Sequence, residues 1–258
     1  MADLLIPISL LAIIFAVVAF FYASVGLGGG SSYTALLAIF GASTVAIPMV
    51  SLTLNILVTT FGSIVFLLQG HARFRLIAPF LIASIPMAYL GGTLHLPKMF
   101  FYVLLLISLA FATARIYFPR TTAPLPLGRR DKLILAIAGG ALLGLIAGIT
   151  GIGGGIYLVP LIIILGLGTP KEAAACGAFF IWVNSVSGLL ARVQYNSIDI
   201  LHYSPLIIAA VIGGMAGTIL GAGRFQPQTM QRILGSILVV AICLLGRKIV
   251  TMGSGLNI

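Results

Sequence analysis

The stretch Val25-Gly26-Leu27-Gly28-Gly29-Gly30 recurs in the second half of the chain as Thr150-Gly151-Ile152-Gly153-Gly154-Gly155. Each copy opens an apolar run, which ends at Gly41 in the first half and at Gly166 in the second. A glycine costs about 1 kcal/mol of helix propensity relative to alanine, so three in succession predict a break in a helix. The recurrence of the whole pattern indicates an internal duplication.

The residues around the two breaks are apolar enough to place the chain in a membrane. Hydrophobic residues make up 60% of the 258 positions, charged residues make up 7%, and the mean hydropathy is +1.22. Soluble domains carry about 25% charged residues. Runs such as 4–22 are apolar on every face and lack the alternating polarity of a transmembrane β-strand. We therefore predict an all-α polytopic membrane protein.

Glycine, proline and polar residues divide the chain into about ten transmembrane elements, five in each half. The first repeat covers 1–118, a polar linker covers 119–131, and the second repeat covers 132–258. The second element of each half has only about 11 to 13 residues, or roughly 17 to 20 Å of helix. A bilayer core is about 30 Å thick, so each is a short crossing or a re-entrant half-helix. The predicted helices are 4–24, 30–40, 46–69, 76–94, 98–118, 132–150, 155–167, 171–193, 203–222 and 226–248.

Five crossings in each half predict that the second repeat is inverted relative to the first, as in many secondary transporters. Positive charge supports this count, since cytoplasmic loops carry an excess of lysine and arginine. Both termini are then periplasmic, with Lys98, Arg192, Arg247 and Lys248 outside. Re-entrant second elements would change the count. The basic residues on the cytoplasmic side are Arg73, Arg75, Arg115, Arg120, Arg129, Arg130, Lys132, Lys171, Arg224 and Arg232.

The glycine breaks are the first candidate binding site. Unwound backbone within a membrane is tolerated where it is buried in protein or lines a polar cavity, and a helix N-terminus there favours an anion. The alternative is that these glycines only permit close helix packing. If the breaks bind the anion, bulky residues at Gly29 or Gly154 should abolish ligand binding and leave the protein folded. The predicted ligands of the anion are Gly28, Gly29, Gly30, Ser31 and Ser32 in the first copy and Gly153, Gly154, Gly155 and Tyr157 in the second.

Four further polar or aromatic residues within the predicted helices are candidates for the same site. Asn55 and Asn184 occupy equivalent mid-helix positions and either donate to the anion or join helices to one another. Ser185 follows Asn184, and its hydroxyl binds either ligand or its own helix backbone. Trp182 either lines the cavity that holds the substrate or packs against other side chains. Arg192 either supplies a cation to the anion or extends to the membrane interface.

The placement of charge excludes several classes of function. The carboxylates Asp3, Asp131, Glu172 and Asp199 all lie at predicted helix ends or loops, which argues against a metal site or a carboxylate proton relay within the membrane. The sequence lacks an HExxH motif, a Ser-His or Cys-His pairing with a carboxylate, and a mid-membrane carboxylate pair, so we predict no enzyme activity and no cofactor. The net charge of +10 is scattered between apolar segments, which is not the pattern of a nucleic-acid-binding surface.

Gly26-Leu27-Gly28-Gly29-Gly30 and Gly151-Ile152-Gly153-Gly154-Gly155-Ile156-Tyr157-Leu158-Val159-Pro160 resemble the sulfite exporter TauE/SafE family, also called the toluene sulfonate uptake permeases. The resemblance covers essentially the whole chain, although Ala35 stands in the first copy where the proline would fall. It implies a secondary transporter that moves sulfite or an organosulfonate such as sulfoacetate across the bacterial inner membrane by alternating access.

The sequence leaves other functions open. An anion channel, a carrier of small carboxylates and a non-transporting subunit of a membrane complex all fit the same pattern. The partners expected are a small anion and the lipid bilayer. The sequence is compatible with a homodimer but specifies no interface for one. The direction of transport and the coupling ion are not specified.

Overall fold

The computed structural model describes residues 4–117, 126–221 and 227–253, and every regular element within these ranges is helical. This confirms the all-α prediction. Asp3, Arg120, Arg224 and most of the predicted linker lie outside the described residues. The ten α-helices within the described ranges are α1 (Ile8–Ser24), α2 (Gly30–Ile39), α3 (Ala46–Leu68), α4 (Phe74–Thr93), α5 (Lys98–Tyr117), α6 (Arg129–Thr150), α7 (Gly155–Ile164), α8 (Pro170–Val193), α9 (Ser204–Gly221) and α10 (Pro227–Gly253). A 3-10 helix (Ile200–Tyr203) precedes α9.

Seven of the described helices are long and apolar enough to cross a membrane, namely α3, α4, α5, α6, α8, α9 together with the preceding 3-10 turn, and α10. The chain is therefore a multi-pass membrane protein. By contrast, α2 and α7 have 10 residues each, or about 15 Å of helix, which is half the thickness of a bilayer core. They begin at Gly30 and Gly155, which confirms the predicted positions of the two breaks.

Large apolar side chains point outward from the helices, as expected where lipid replaces water. Leu68, Ile82 and Ile219 are 83%, 71% and 71% exposed, respectively. Buried aromatic residues fill the space between α1 and α2, where the rings of Phe15 and Tyr33 stack with centroids 5.1 Å apart. The interior is thus built from helix-to-helix packing, and large apolar side chains also lie on the exterior.

Helices α4 and α6 pack closely and run parallel to each other. A Cβ atom on any of three glycines of α6 would overlap the backbone of α4. The residue numbers of the two helices increase in the same direction along this contact, so the helices are parallel. Small residues at every fourth position allow backbones to approach in this way. The facing pairs are Gly140 with Phe80, Gly144 with Ser84, and Gly148 with Ala88.

The same arrangement recurs between α1 and α9, where Gly213 faces Ala16 and Gly217 faces Phe20. In both cases the first helix of one half is parallel to the fourth helix of the other half. The third helix of each half, α3 in the first and α8 in the second, lies between these two pairs, and α3 and α8 are antiparallel. Gly188 of α8 faces Leu52 of α3, whereas Trp182 of α8 bonds to Thr60 of α3. These contacts place α3 and α8 side by side next to the two breaks.

Candidate functional site

The two glycine breaks share a left-handed backbone at two equivalent positions and differ at a third, because Gly153 has a φ angle of +86° whereas that of its counterpart Gly28 is not positive. Gly26 and Gly29 have φ angles of +78° and +88°, and the equivalent Gly151 and Gly154 have +82° and +77°. This left-handed region favours glycine, which lacks the Cβ that makes it strained for other residues. Gly29 and Gly154 are the N-cap residues of α2 and α7, and neither helix has a side-chain cap. The first backbone N–H groups of both short helices thus lack a capping acceptor.

The side chain of Asn55 in α3 lies between the N-terminus of α2 and the second glycine break. A Cβ on Gly30 would overlap both the Asn55 amide and the carbonyl oxygen of Ile152. A Cβ on Gly28 would lie 2.8 Å from Asn55 Oδ1, and one on Gly153 would lie 2.9 Å from Asn55 Nδ2. Asn55 Nδ2 also donates a hydrogen bond of 3.2 Å to the carbonyl of Gly151. One fully buried side chain therefore contacts both breaks.

Two residues that are not among the site residues predicted from sequence complete the surroundings of the glycines. Thr59 of α3 lies one turn beyond Asn55, and its Cγ2 would be 2.8 Å from a Cβ on Gly28. Ile181 of α8 would be contacted by a Cβ on Gly28, Gly153 or Gly155. Helical spacing could have indicated Ile181 from the sequence. Residues three or four apart share a helix face, and Ile181 lies three residues before Asn184.

Both asparagines use their amide N–H2 groups on protein carbonyls. Asn184 Nδ2 donates to the Phe180 carbonyl at 2.8 Å, just as Asn55 Nδ2 donates to Gly151. The Oδ1 atoms of both residues and the Oγ of Ser185 are buried and have no hydrogen-bond partner among the described residues. The asparagines were expected to act as donors to an anion, but in this structure they present acceptors.

The serine hydroxyls of α2 are engaged with α1. Tyr22 shares a hydrogen bond of 2.7 Å with Ser31 Oγ and accepts one of 2.9 Å from Ser32 Oγ. In the second half, the Tyr157 hydroxyl donates to the Ser108 carbonyl at 2.8 Å. These hydroxyls tie each short helix to a neighbouring long helix. Tyr22 was not identified from sequence because no local motif links it to the first break.

Gly29 and Gly154 are packed too tightly to accept the bulky substitutions suggested by sequence. A Cβ on Gly29 would lie 2.6 Å from Tyr33 Cζ, and one on Gly154 would lie 2.9 Å from Phe180 Cε1. Positive φ angles at both positions add backbone strain for any other residue. The expectation that such variants lose ligand binding and keep their fold is therefore corrected, because stability would fall as well.

Trp182 and Arg192 lie toward the edges of this region. Trp182 is 37% exposed and donates from Nε1 to Thr60 Oγ1 at 2.9 Å. Arg192 is 5% exposed, and its Nη2 donates to the carbonyls of Gly148 and Ile149 at 2.9 and 2.7 Å. The guanidinium therefore binds the C-terminal end of α6 immediately before the second break, where a cation complements the helix dipole.

The model of a family described as sulfite exporter TauE/SafE matches residues 10–245, which is most of the chain. The chain belongs to the TauE/SafE family. This TauE/SafE protein is 33% identical over 236 residues to "Probable membrane transporter protein y4hK" of Sinorhizobium fredii (strain NBRC 101917 / NGR234), a match that covers 90% of this chain and 95% of the relative.

Two relatives from Bacillus subtilis (strain 168) extend the comparison. "Probable membrane transporter protein YjnA" is 27% identical over 235 residues, covering 84% of the TauE/SafE chain and 91% of the relative. "Probable membrane transporter protein YunE" is 29% identical over 109 residues, covering 42% and 40%. No solved structure matches the chain. The family and its named relatives make this TauE/SafE protein a multi-pass membrane transporter.

Proposed function

We propose that this TauE/SafE protein is a secondary carrier of a small sulfur oxyanion, either an organosulfonate or sulfite, across the bacterial inner membrane. The observation that carries the proposal is that the side chain of Asn55 contacts both Gly30, where α2 begins, and Gly153 of the second break, which leads into α7 at Gly155. Neither short helix has a side-chain cap among the described residues. Both helix dipoles direct their positive ends toward this point. Half-helices that point their N-termini at an anionic group are a recurring device of secondary transporters.

The directions of the helices support an inverted repeat and alternating access. In a half whose five elements alternate direction, the first and fourth helices are antiparallel. Because α4 is parallel to α6 and α1 is parallel to α9, α1 and α6 then run in opposite directions. Rocking of one repeat against the other around Asn55 would expose the site to each face in turn. The distribution of lysine and arginine favours periplasmic termini.

The buried acceptors favour a substrate that carries a hydrogen-bond donor as well as its anionic group. Helix N-termini would bind the oxyanion, whereas the Oδ1 atoms of Asn55 and Asn184 and the Ser185 hydroxyl would accept from an O–H or N–H of the same molecule. An unpaired buried acceptor costs about 1–3 kcal/mol, so filling it contributes to affinity. The proposed substrate class is therefore a hydroxyl-bearing, amino or protonated sulfur oxyanion.

We predict that 2-hydroxyethanesulfonate binds about 3- to 10-fold more tightly than ethanesulfonate, which has the same charge and carbon skeleton but lacks the hydroxyl. Ligand-induced thermal stabilisation of the purified protein measures both affinities. Asn55→Ala should weaken binding of both compounds and abolish the preference. The matched control is Asn196→Ala, since Asn196 bonds to the Arg192 carbonyl and contacts His95 at the protein periphery. Equal affinities in the parent protein would contradict the proposed acceptor role.

Flux into proteoliposomes separates the proposed carrier from its alternatives. A carrier should give saturable uptake of the sulfonate, which the unlabelled compound in excess competes away. Voltage-driven current that does not saturate would instead identify an anion channel. Preference for 2-hydroxypropanoate over 2-hydroxyethanesulfonate would identify a carboxylate carrier. Absence of flux from a correctly folded, purified chain would favour a non-transporting subunit.

A further inference from the structure

A cavity of about 970 Å³ lies where α4 and α6 begin, away from the glycine breaks. Four cationic side chains line it, those of Arg73, Arg75, Arg129 and Lys132. Because α4 and α6 are parallel, their N-termini lie at the same face of the membrane. The cavity is thus at the level where lipid headgroups meet the spanning helices.

The positive charge in this cavity is largely uncompensated. Arg73 Nε pairs with Glu172 Oε1 at 3.0 Å, which is the single ion pair within the part of the chain that the structure describes. Asp131 lies in the first turn of α6 but does not line the cavity. Arg75, Arg129 and Lys132 therefore have no carboxylate within ion-pair distance among the described residues. This charge is complementary to a phosphate group.

The wall of the cavity becomes apolar toward the membrane interior. Pro79, Leu133 and Ala136 line it beyond the cations, and Ala136 lies seven residues along α6 from Arg129, or about 10 Å deeper. Phe74 and Leu133 are 58% and 48% exposed on the outer surface of the helix pair, where acyl chains would cover them. A free inorganic anion would use only the cations, whereas a phospholipid would use both parts of the cavity.

We propose that this cavity binds an anionic phospholipid, with its phosphate between Arg75, Arg129 and Lys132 and its glycerol and acyl chains along Pro79, Leu133 and Ala136. Basic pockets between spanning helices suit anionic headgroups, and arginine can bind phosphate through two parallel hydrogen bonds. The bound lipid would join the start of α4 in the first half to the start of α6 in the second. This site is independent of the proposed transport substrate.

Native mass spectrometry of the purified full-length chain tests the proposal with phosphatidylglycerol and phosphatidylcholine of identical acyl chains. We expect phosphatidylglycerol to bind at least 10-fold more tightly. The triple variant Arg75→Gln, Arg129→Gln, Lys132→Gln should lose this preference. Arg130→Gln should retain it, because Arg130 neighbours Arg129 but does not line the cavity. Inorganic phosphate and glycerol phosphate should fail to displace the lipid at comparable concentrations.

Three results would overturn the proposal: equal binding of the two lipids, an unchanged preference in the triple variant, or displacement by soluble phosphate compounds with similar affinity. The last would identify a vestibule for soluble anions. Circular dichroism and size-exclusion chromatography check that the triple variant is folded. If it is not, Arg75→Gln alone decides, with an expected loss of about threefold in affinity for phosphatidylglycerol.

Discussion

The Gly30→Ala variant is expected to unfold at a markedly lower temperature than the parent protein and to lose transport. Its new Cβ would overlap the Ile152 carbonyl oxygen and the Asn55 amide, which belong to the other break and to α3. Overpacking of a tight interior costs about 1–3 kcal/mol, and backbone atoms can relieve it less easily than a flexible side chain. The overlap could be relieved if α2 moved away from the second break. We therefore expect the binding site to be disrupted together with the fold.

Gly62→Ala is the matched control for this prediction. Gly62 lies in α3 two turns beyond Asn55, and a Cβ there would meet no atom within 4 Å. Alanine in a helix interior is favoured over glycine by about 0.5–1 kcal/mol, so this variant should be as stable as the parent or slightly more stable. Thermal unfolding followed by circular dichroism and uptake into proteoliposomes measure both effects. Equal unfolding temperatures and equal uptake for the two variants would contradict the geometry of the paired breaks.

Local sequence was sufficient to predict where the helices break. Three consecutive glycines weaken a helix wherever they occur, and Gly28–Gly30 and Gly153–Gly155 do so in surroundings that leave about ten apolar residues before the next breaker. Helix ends at charged residues were less well defined. The structure begins α6 at Arg129 and continues α10 to Gly253, whereas the sequence predicted 132 and 248. The length of an apolar run indicates only the part of a helix that lies in the membrane. It does not indicate how many polar residues continue the helix beyond that part.

The duplication predicted that the equivalent Asn55 and Asn184 belong to related positions, but not how each amide is oriented. The amide of Asn184 donates to the Phe180 carbonyl of its own helix, whereas the Gly151 carbonyl that accepts from Asn55 lies in the other half of the chain. The hydroxyl cluster of Tyr22, Ser31 and Ser32 likewise depends on the packing of α1 against α2. Hydropathy and spacing describe helix faces, whereas these bonds require the relative rotation of two helices.

Arg192 shows the same limit, because sequence left its cation available for an anion whereas the structure engages it with Gly148 and Ile149. A side chain near the end of α8 thereby satisfies carbonyls at the end of α6, an element more than forty residues earlier in the chain. Helix termini leave their last carbonyls without intrahelical partners. The sequence predicted that this helix ends at residue 150, but not that Arg192 donates to its last carbonyls.

Arg192→Met is expected to destabilise the protein by about 2 kcal/mol and to abolish transport. Methionine retains much of the apolar volume, but it leaves the buried Gly148 and Ile149 carbonyls without their donor, at a cost of about 1–3 kcal/mol for each buried group left unsatisfied. Relief of the arginine's own desolvation offsets part of this cost. The end of α6 would then be free to move, and the second break follows it directly, so α7 would lose its alignment with α2.

Arg192→Lys should give an intermediate result, because an ammonium is a point donor on a shorter reach and cannot reproduce the guanidinium fork. Arg232→Met is the control, since Arg232 is exposed and its side chain makes no ion pair with any described residue. Thermal unfolding measures stability, and hydrogen exchange at residues 148–156 measures the loosening of the second break. Faster exchange there in Arg192→Met, with the exchange of α2 less affected, is the result expected of a residue that positions α7. If transport were lost while stability and exchange stayed unchanged, Arg192 would act on the substrate directly, as the sequence alone allowed.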